Sequence, residues 1–316
     1  MASDWVQNQE EGWLGRLLEG DSGAIAKKST LWQLYRIFEN TMTGKASAKD
    51  SASKTASLVS SEPKAWYDVI GIYVTSAEKI ADEDALKALV DYIVELASLP
   101  DAINESHETV VIDHIGHAGA SVPIEPGEPL VMGYGGKRLW RDLPDLSMEI
   151  TERFQGKRCH PQCVVALFVG LLVNIGPEQY LSDTPSPADL ETAKTLWKNF
   201  NTFLALSATS SRAQTITVLA DGIRMARMTL VTALEHSPNT RRGKKTDLHI
   251  PAAEAWFRIA GDEIEKLCEA GTETLPPGDL WASQGGGDVC DSARLGFWKK
   301  RMSELGAQYG EDVAKE

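Results

Sequence analysis

His114 and His117 form H-x2-H, and Cys159, His160 and Cys163 form C-H-x2-C, so nitrogen and sulfur ligands of the kind that zinc takes can be drawn together from this chain. Recognised zinc sites pair their ligands at tight, repeated spacings. Here the thiols are C-x3-C, and about forty residues separate them from the histidines. The expected reading is surface histidines and half-buried thiols, with no metal and no cofactor.

Three further patterns suggest chemistry and yield to plainer readings. Gly133-Tyr134-Gly135-Gly136-Lys137-Arg138 frees backbone N–H groups for an anion and adds two cations. It lacks the Walker spacing and a clear preceding strand, so a turn into the segment at Trp140 is expected. Arg241, Arg242, Lys244 and Lys245 cluster between Pro238-Asn239 and Asp247 without interleaved aromatics, which reads as a solvated loop. Asp82-Glu83-Asp84 and Asp262-Glu263-Glu265 offer the paired carboxylates of a magnesium-dependent cyclase, but the first group opens a helix, where acids meet the dipole favourably. No G-x-S-x-G elbow holds a serine for a catalytic triad.

What remains is an aromatic constellation: Trp140, Trp197, Asn201, Arg224, Trp256 and Trp298. Asn201 follows Trp197 by four residues and shares its helical face, and a buried amide needs partners or costs roughly 1–3 kcal/mol. Either it is tied into the structure, or it faces a ligand pocket with aromatic walls and a few orienting polar groups.

The elements that must position these side chains are helices. Leu31, Leu34, Phe38 and Met42 mark one face behind Ser29 or Thr30 as N-cap; Trp66, Ile70, Tyr73, Ala77 and Ile80 mark the next, and Leu86, Leu89, Ile93 and Leu96 a third. Leu143, Leu146, Ile150 and Phe154 give a fourth. Ser186-Pro187 with Asp189 opens a fifth, carrying Leu190, Ala193, Trp197, Phe200 and Leu204. Helices over Ile216–Leu234, after Pro251, and over Leu295–Leu305 complete the set. Residues 45–61 hold little beyond Ala, Ser, Lys and Thr and are expected to be a flexible loop, as are residues 101–137, with a short strand at Thr109–Ile112. The expectation is an all-α fold, an irregular bundle of eight or nine helices with little or no strand, as one domain over 29–306 between an N-terminal extension (1–28) and a C-terminal tail (307–316).

Composition excludes several classes of function. A net charge of −13 and a pI near 5.0 repel phosphate backbones, so no nucleic acid partner is expected. The uncharged run from Cys163 to Ile175 is shorter than the roughly 20 residues that cross a bilayer, so no membrane is expected either. The acidic N-terminus and the unframed cysteines Cys159, Cys163, Cys268 and Cys290 point to the cytoplasm.

The segment Trp197-Lys198-Asn199-Phe200-Asn201-Thr202-Phe203-Leu204-Ala205 resembles a W-x-N-x-N-x-F-L-A signature. It is followed in order by Thr232-Ala233-Leu234-Glu235, Ala255-Trp256 with Ala260-Gly261, Leu280-Trp281, and Arg294 with Phe297-Trp298-Lys299-Lys300-Arg301; Leu139-Trp140 with Leu143-Pro144 stands upstream. Together these resemble the fungal helical family known as domain of unknown function 3632, over about Leu31 to Leu305. The stretch Cys159 to Pro177 departs from its pattern as extra material, and Ser207 to Thr217 is more polar. The resemblance implies a fungal intracellular protein, and the company of some members implies secondary metabolism; it carries no catalytic residue. Two functions are expected in turn. In the first, the tryptophan-lined pocket binds a small apolar intermediate, or cyclises or isomerises it without a cofactor, with Asn201 or Arg224 bonded to its carbonyl. In the second, the chain is a helical module that docks a protein partner through its acidic surface and loops.

Overall fold

The computed structural model describes residues 13–19, 28–105, 107–113, 121–132, 136–155, 177, 181, 185–220 and 222–313. Among them the fold is all-α, with two small antiparallel ribbons. The chain divides into two compact units, Met1–Glu152 with Ser210–Ala220, and Arg153–Thr209 with Asp221–Glu316. The sequence reading expects one domain over 29–306. Periodicity reports that a helix has an apolar face and does not report which faces share a core.

The first unit holds α1 (Trp13–Glu19), α2 (Thr30–Met42), α3 (Ala48–Ser61), α4 (Ala65–Lys79) and α5 (Glu83–Ala97). Ser29 caps α2, its Oγ accepting from the Trp32 N–H at 3.1 Å, and Asp82 caps α5, accepting from Ala85 N–H at 2.9 Å. Asp82 and the two acids after it therefore serve the helix start, as the dipole argument expects. Phe38 and Tyr92 meet at 4.9 Å between ring centroids, and the Tyr92 hydroxyl donates to Thr55 Oγ1 at 2.9 Å.

Thr55 lies in the segment expected to be a flexible loop. Residues 48–61 are instead the helix α3, opened by Ser47, whose Oγ accepts from Asp50 N–H at 3.0 Å. Ser51, Ala52, Thr55 and Val59 form its buried face. A segment without large apolar side chains still folds here because alanine favours the helix and small residues let its backbone approach α2 and α5 closely. The N-terminal extension is likewise partly structured: Trp13 and Leu14 of α1 are buried, and Leu14 N–H donates to Glu39 Oε1 at 2.8 Å.

Residues 101–137 are also better organised than expected. β1 (Val110–Asp113) pairs with β2 (Ser121–Ile124), Val110 opposite Ile124, and β3 (Val131–Met132) pairs with β4 (Lys137–Arg138). Buried Asn104 ties this segment together, its Nδ2 donating to the carbonyls of Glu108 and Ile124 at 2.9 Å each. These side-chain bonds add to the burial of Ile112, Ile124, Leu130 and Met132 in ordering the segment. The strand expected at Thr109–Ile112 is present, shifted by one residue.

The second unit contains α7 (Pro187–Thr209), α9 (Gly222–Leu234), α10 (Thr246–Ala270), α11 (Asp279–Ala282) and α12 (Ser292–Val313); α6 (Leu146–Gln155) places Phe154 at its start, and the short α8 (Thr217–Ala220) belongs to the first unit. α12 continues as helix to Val313, through most of the segment expected to be a tail. α10 begins five residues ahead of Pro251, which is held inside it, and breaks at Ala260, where φ is −123°. No helix among the described residues is long and apolar enough to cross a membrane.

Ala52→Leu forces extra methylenes against α2 and α5 and is expected to cost about 1–3 kcal/mol. Urea unfolding of the variant checks this, together with slow amide exchange at Thr55 to Leu58 in the wild type; rapid exchange there would contradict the helix.

Candidate functional site

α7 starts as its sequence expects. Asp189 N–H donates to Ser186 Oγ at 3.2 Å and Ser186 N–H donates to Asp189 Oδ2 at 2.8 Å, a reciprocal cap. This fixes the register that buries Trp197, Phe200, Asn201 and Leu204 against α9 and α10.

Asn201 is fully buried and hydrogen-bonded at both ends of its amide. Its Oδ1 accepts from Trp256 Nε1 at 2.7 Å and from Thr229 Oγ1 at 2.8 Å, while its Nδ2 donates to the Trp197 carbonyl at 2.9 Å. One amide thus links α7, α9 and α10.

A second polar knot joins α9 to α12. Glu235 and Arg294 have no exposed side-chain surface. Arg294 forks onto the carboxylate, Nε to Oε1 at 2.7 Å and Nη2 to Oε2 at 3.0 Å. Trp298 Nε1 donates to Oε1 at 2.6 Å and Gly278 N–H to Oε2 at 2.8 Å, so each carboxylate oxygen holds two donors. Arg294 Nη1 also donates to the carbonyls of Leu275 and Asp288, at 2.8 and 2.9 Å, and the guanidinium lies 5.6 Å from the Trp298 ring centroid. Gly278 must be glycine, because a Cβ there would stand 2.3 Å from the Glu235 carbonyl oxygen.

The six residues singled out from the sequence therefore separate. Trp197, Asn201 and Trp256 come together around one amide, and Trp298 belongs to the Glu235 knot. Arg224 is half exposed and paired with Glu273 at 3.1 Å. Trp140 lies in the first unit, edge-on to Trp66 at 5.8 Å, and Trp66 Nε1 donates to the Pro144 carbonyl at 3.0 Å. Of the glycine-rich stretch, Gly133 to Gly135 lie outside the described residues, and Arg138 is paired with Asp101. Arg241 to Lys245 form a short turn into α10. His114, His117, Cys159, His160 and Cys163 lie outside the described residues. Among the described residues, no group of three or more His, Cys, Asp or Glu is placed to hold a metal.

Among the described residues, Trp197 Nε1 and both ring nitrogens of His249 are buried without a hydrogen-bond partner. The two rings stand edge to face with centroids 6.3 Å apart, and Phe154 covers Trp197 at 5.0 Å. Burial first, then the positive charges of Arg242, His236 and Lys245, push the His249 pKa down to about 3, so the imidazole is neutral. His236 is shifted down for the same leading reason and leaves its Nε2 unpartnered. Each unpaired buried group costs roughly 1–3 kcal/mol, and the Trp197 and His249 atoms together reach a sizeable part of an ordinary stability of about 5–15 kcal/mol. The buried thiols offer no competing chemistry: burial raises Cys290 and pushes Cys268 up to about 12, far from a reactive thiolate.

His249, Glu235 and Arg294 are absent from the six residues singled out. Their sequence signals were present. His249 stands seven residues before Trp256, hence on the same helical face, and Glu235 directly follows the apolar run that ends in Leu234.

A family model described as Protein of unknown function (DUF3632) matches residues 71–302. No curated protein and no solved structure matches the chain.

Two expectations test these assignments. Arg294→Met strands a buried carboxylate and should cost about 3–5 kcal/mol, read by denaturant unfolding, while pairing it with Glu235→Gln recovers part of the loss. His249 titrates near pH 6.5 when unfolded and near 3 when folded, so its contribution is complete above pH 6.5 and falls as pH drops, by about 1.4 kcal/mol per pH unit at most. Between pH 6.5 and 5 the wild type should lose more stability than His249→Leu. Parallel pH profiles would show that His249 is not buried in its neutral form.

Proposed function

The chain belongs to the protein of unknown function DUF3632 family, and within it we propose that this member is a receptor for a small, uncharged, largely apolar molecule seated at Trp197, His249 and Phe154 in the second unit. The observation that carries the reading is three buried polar atoms, Trp197 Nε1 and the two His249 nitrogens, that have no hydrogen-bond partner among the described residues. Native proteins seldom leave such groups unmatched, and a site built to receive a ligand is a physical reason for doing so.

In this reading Asn201 and Arg224 serve the fold: the amide bonds Trp256, Thr229 and Trp197, and the guanidinium pairs with Glu273. The reading is therefore of binding, and a cofactor-free cyclase or isomerase would have to draw its donors from Trp197 and His249 instead. Free, buried Cys268 and Cys290 suit a reducing compartment, which supports the cytoplasm. A place in fungal secondary metabolism rests on the family resemblance alone.

His249→Leu replaces an unmatched polar ring with an apolar side chain, and it should raise the stability of the empty protein at pH 7 by about 1–3 kcal/mol while removing ligand binding. Ligand-observed NMR with a library of uncharged aromatic fragments checks the second half. Hits on the wild type that vanish in His249→Leu support a receptor. An empty screen, or hits indifferent to the substitution, overturns it.

A further inference from the structure

We propose that α1 is a releasable strap, and that the surface it covers on α2 and α4 is a docking site for one short helix, selected by its direction and by an indole and a leucine at its start. The site lies in the first unit and is independent of the receptor.

Seven residues, Trp13–Glu19, make only two turns, too few to hold a helix in water without tertiary contacts. α1 is therefore ordered by what it rests on, which is α2 and α4. Trp13 and Leu14 at its start are buried, whereas Leu17 is 40% exposed and Leu18 half-buried. The apolar hold is concentrated on two side chains of one turn, and such a small buried surface opens more readily than the long helices beneath it.

Both ends of α1 are gripped by charges of the sign that a helix dipole calls for. At its start Glu39 of α2 accepts from the Leu14 N–H at 2.8 Å, and at its end Lys79 of α4 donates from Nζ to the carbonyls of Leu17 and Leu18 at 2.8 and 3.3 Å. A helix laid in reverse would bring carbonyls to the carboxylate and N–H groups to the ammonium, so the pair reads direction. Only the first N–H groups and the last carbonyls of a helix lack partners within it, so a helix must start at Glu39 and stop at Lys79, which limits it to about two turns. The grip also survives release. Arg36 pairs with the other oxygen of Glu39 from within α2, so the carboxylate stays matched when α1 lifts and Oε1 turns to water, and Lys79 is only half-buried.

Hydrogen exchange on the whole wild-type chain should show Gly15 to Leu18 opening about tenfold or more faster than Ile72 to Ala77 of α4. Equal protection would make α1 an integral part of the core and overturn the strap. A fluorescein-labelled peptide of residues 11–20 should bind the whole chain carrying Leu14→Asp, whose own α1 cannot seat its leucine, about tenfold or more tightly than the wild type, where the resident helix competes at high effective concentration. Trp13→Ala gives the same release if circular dichroism shows that Leu14→Asp impairs folding. Adding Lys79→Met to either variant should weaken the peptide about tenfold, through loss of charge-assisted hydrogen bonds. No peptide binding by either variant, or binding indifferent to Lys79→Met, overturns the docking site. A wild-type dimer in light scattering that Leu14→Asp dissolves overturns the strap within one chain, since the surface would then hold α1 of a second copy.

Discussion

The second unit is organised around a charge pair that water does not reach. Glu235 and Arg294 lie 59 residues apart and have no exposed side-chain surface, and each is matched to its partners atom by atom. Both carboxylate oxygens hold two donors, and the guanidinium also bonds the loop carbonyls of Leu275 and Asp288. Taking such groups from water costs several kcal/mol per ion, and that cost is met only when every one of these bonds forms at once. Misplaced loops or a shifted α12 would strand a charge, which makes the pair a condition on the whole arrangement and ties α9, α11 and α12 to one register.

Against this matched knot the neighbouring polar atoms stand out. Asn201 is bonded at both ends of its amide and Glu235 at both oxygens, whereas among the described residues Trp197 Nε1 and the His249 nitrogens have no partner. Both sets are fully buried, so burial alone does not distinguish matched from unmatched polarity. Several residues that the sequence marks most loudly hold the fold, and the atoms without a partner among the described residues include those of an inconspicuous histidine.

Much of the helical organisation was legible in the chain. Ser29, Asp82 and the Ser186 to Asp189 box cap the helices that they foretell, because a cap is a local exchange between one side chain and the next turn. Residues 48–61 were misread because their side chains are too small to show periodic hydrophobicity, and their order depends on how closely α2 and α5 approach. Of the ribbons near Asn104 only the first strand was legible, since its partner and the second ribbon depend on pairing across turns and on the bonds that Asn104 makes.

Sequence by itself determined most of the segments that coil into helices, where several of them begin, and that Trp66, Trp197, Trp256 and Trp298 lie on their inner faces, since all of this depends on neighbours within a few positions. Tertiary structure alone decided that Trp140 belongs to a different unit from Trp197, that Arg224 meets Glu273 at the surface, and that Asn201 is matched while His249 is not. Those outcomes depend on donors and acceptors brought from dozens of residues away. A one-dimensional pattern records which groups can bond, and only packing in three dimensions settles which of them are left with something to bond to.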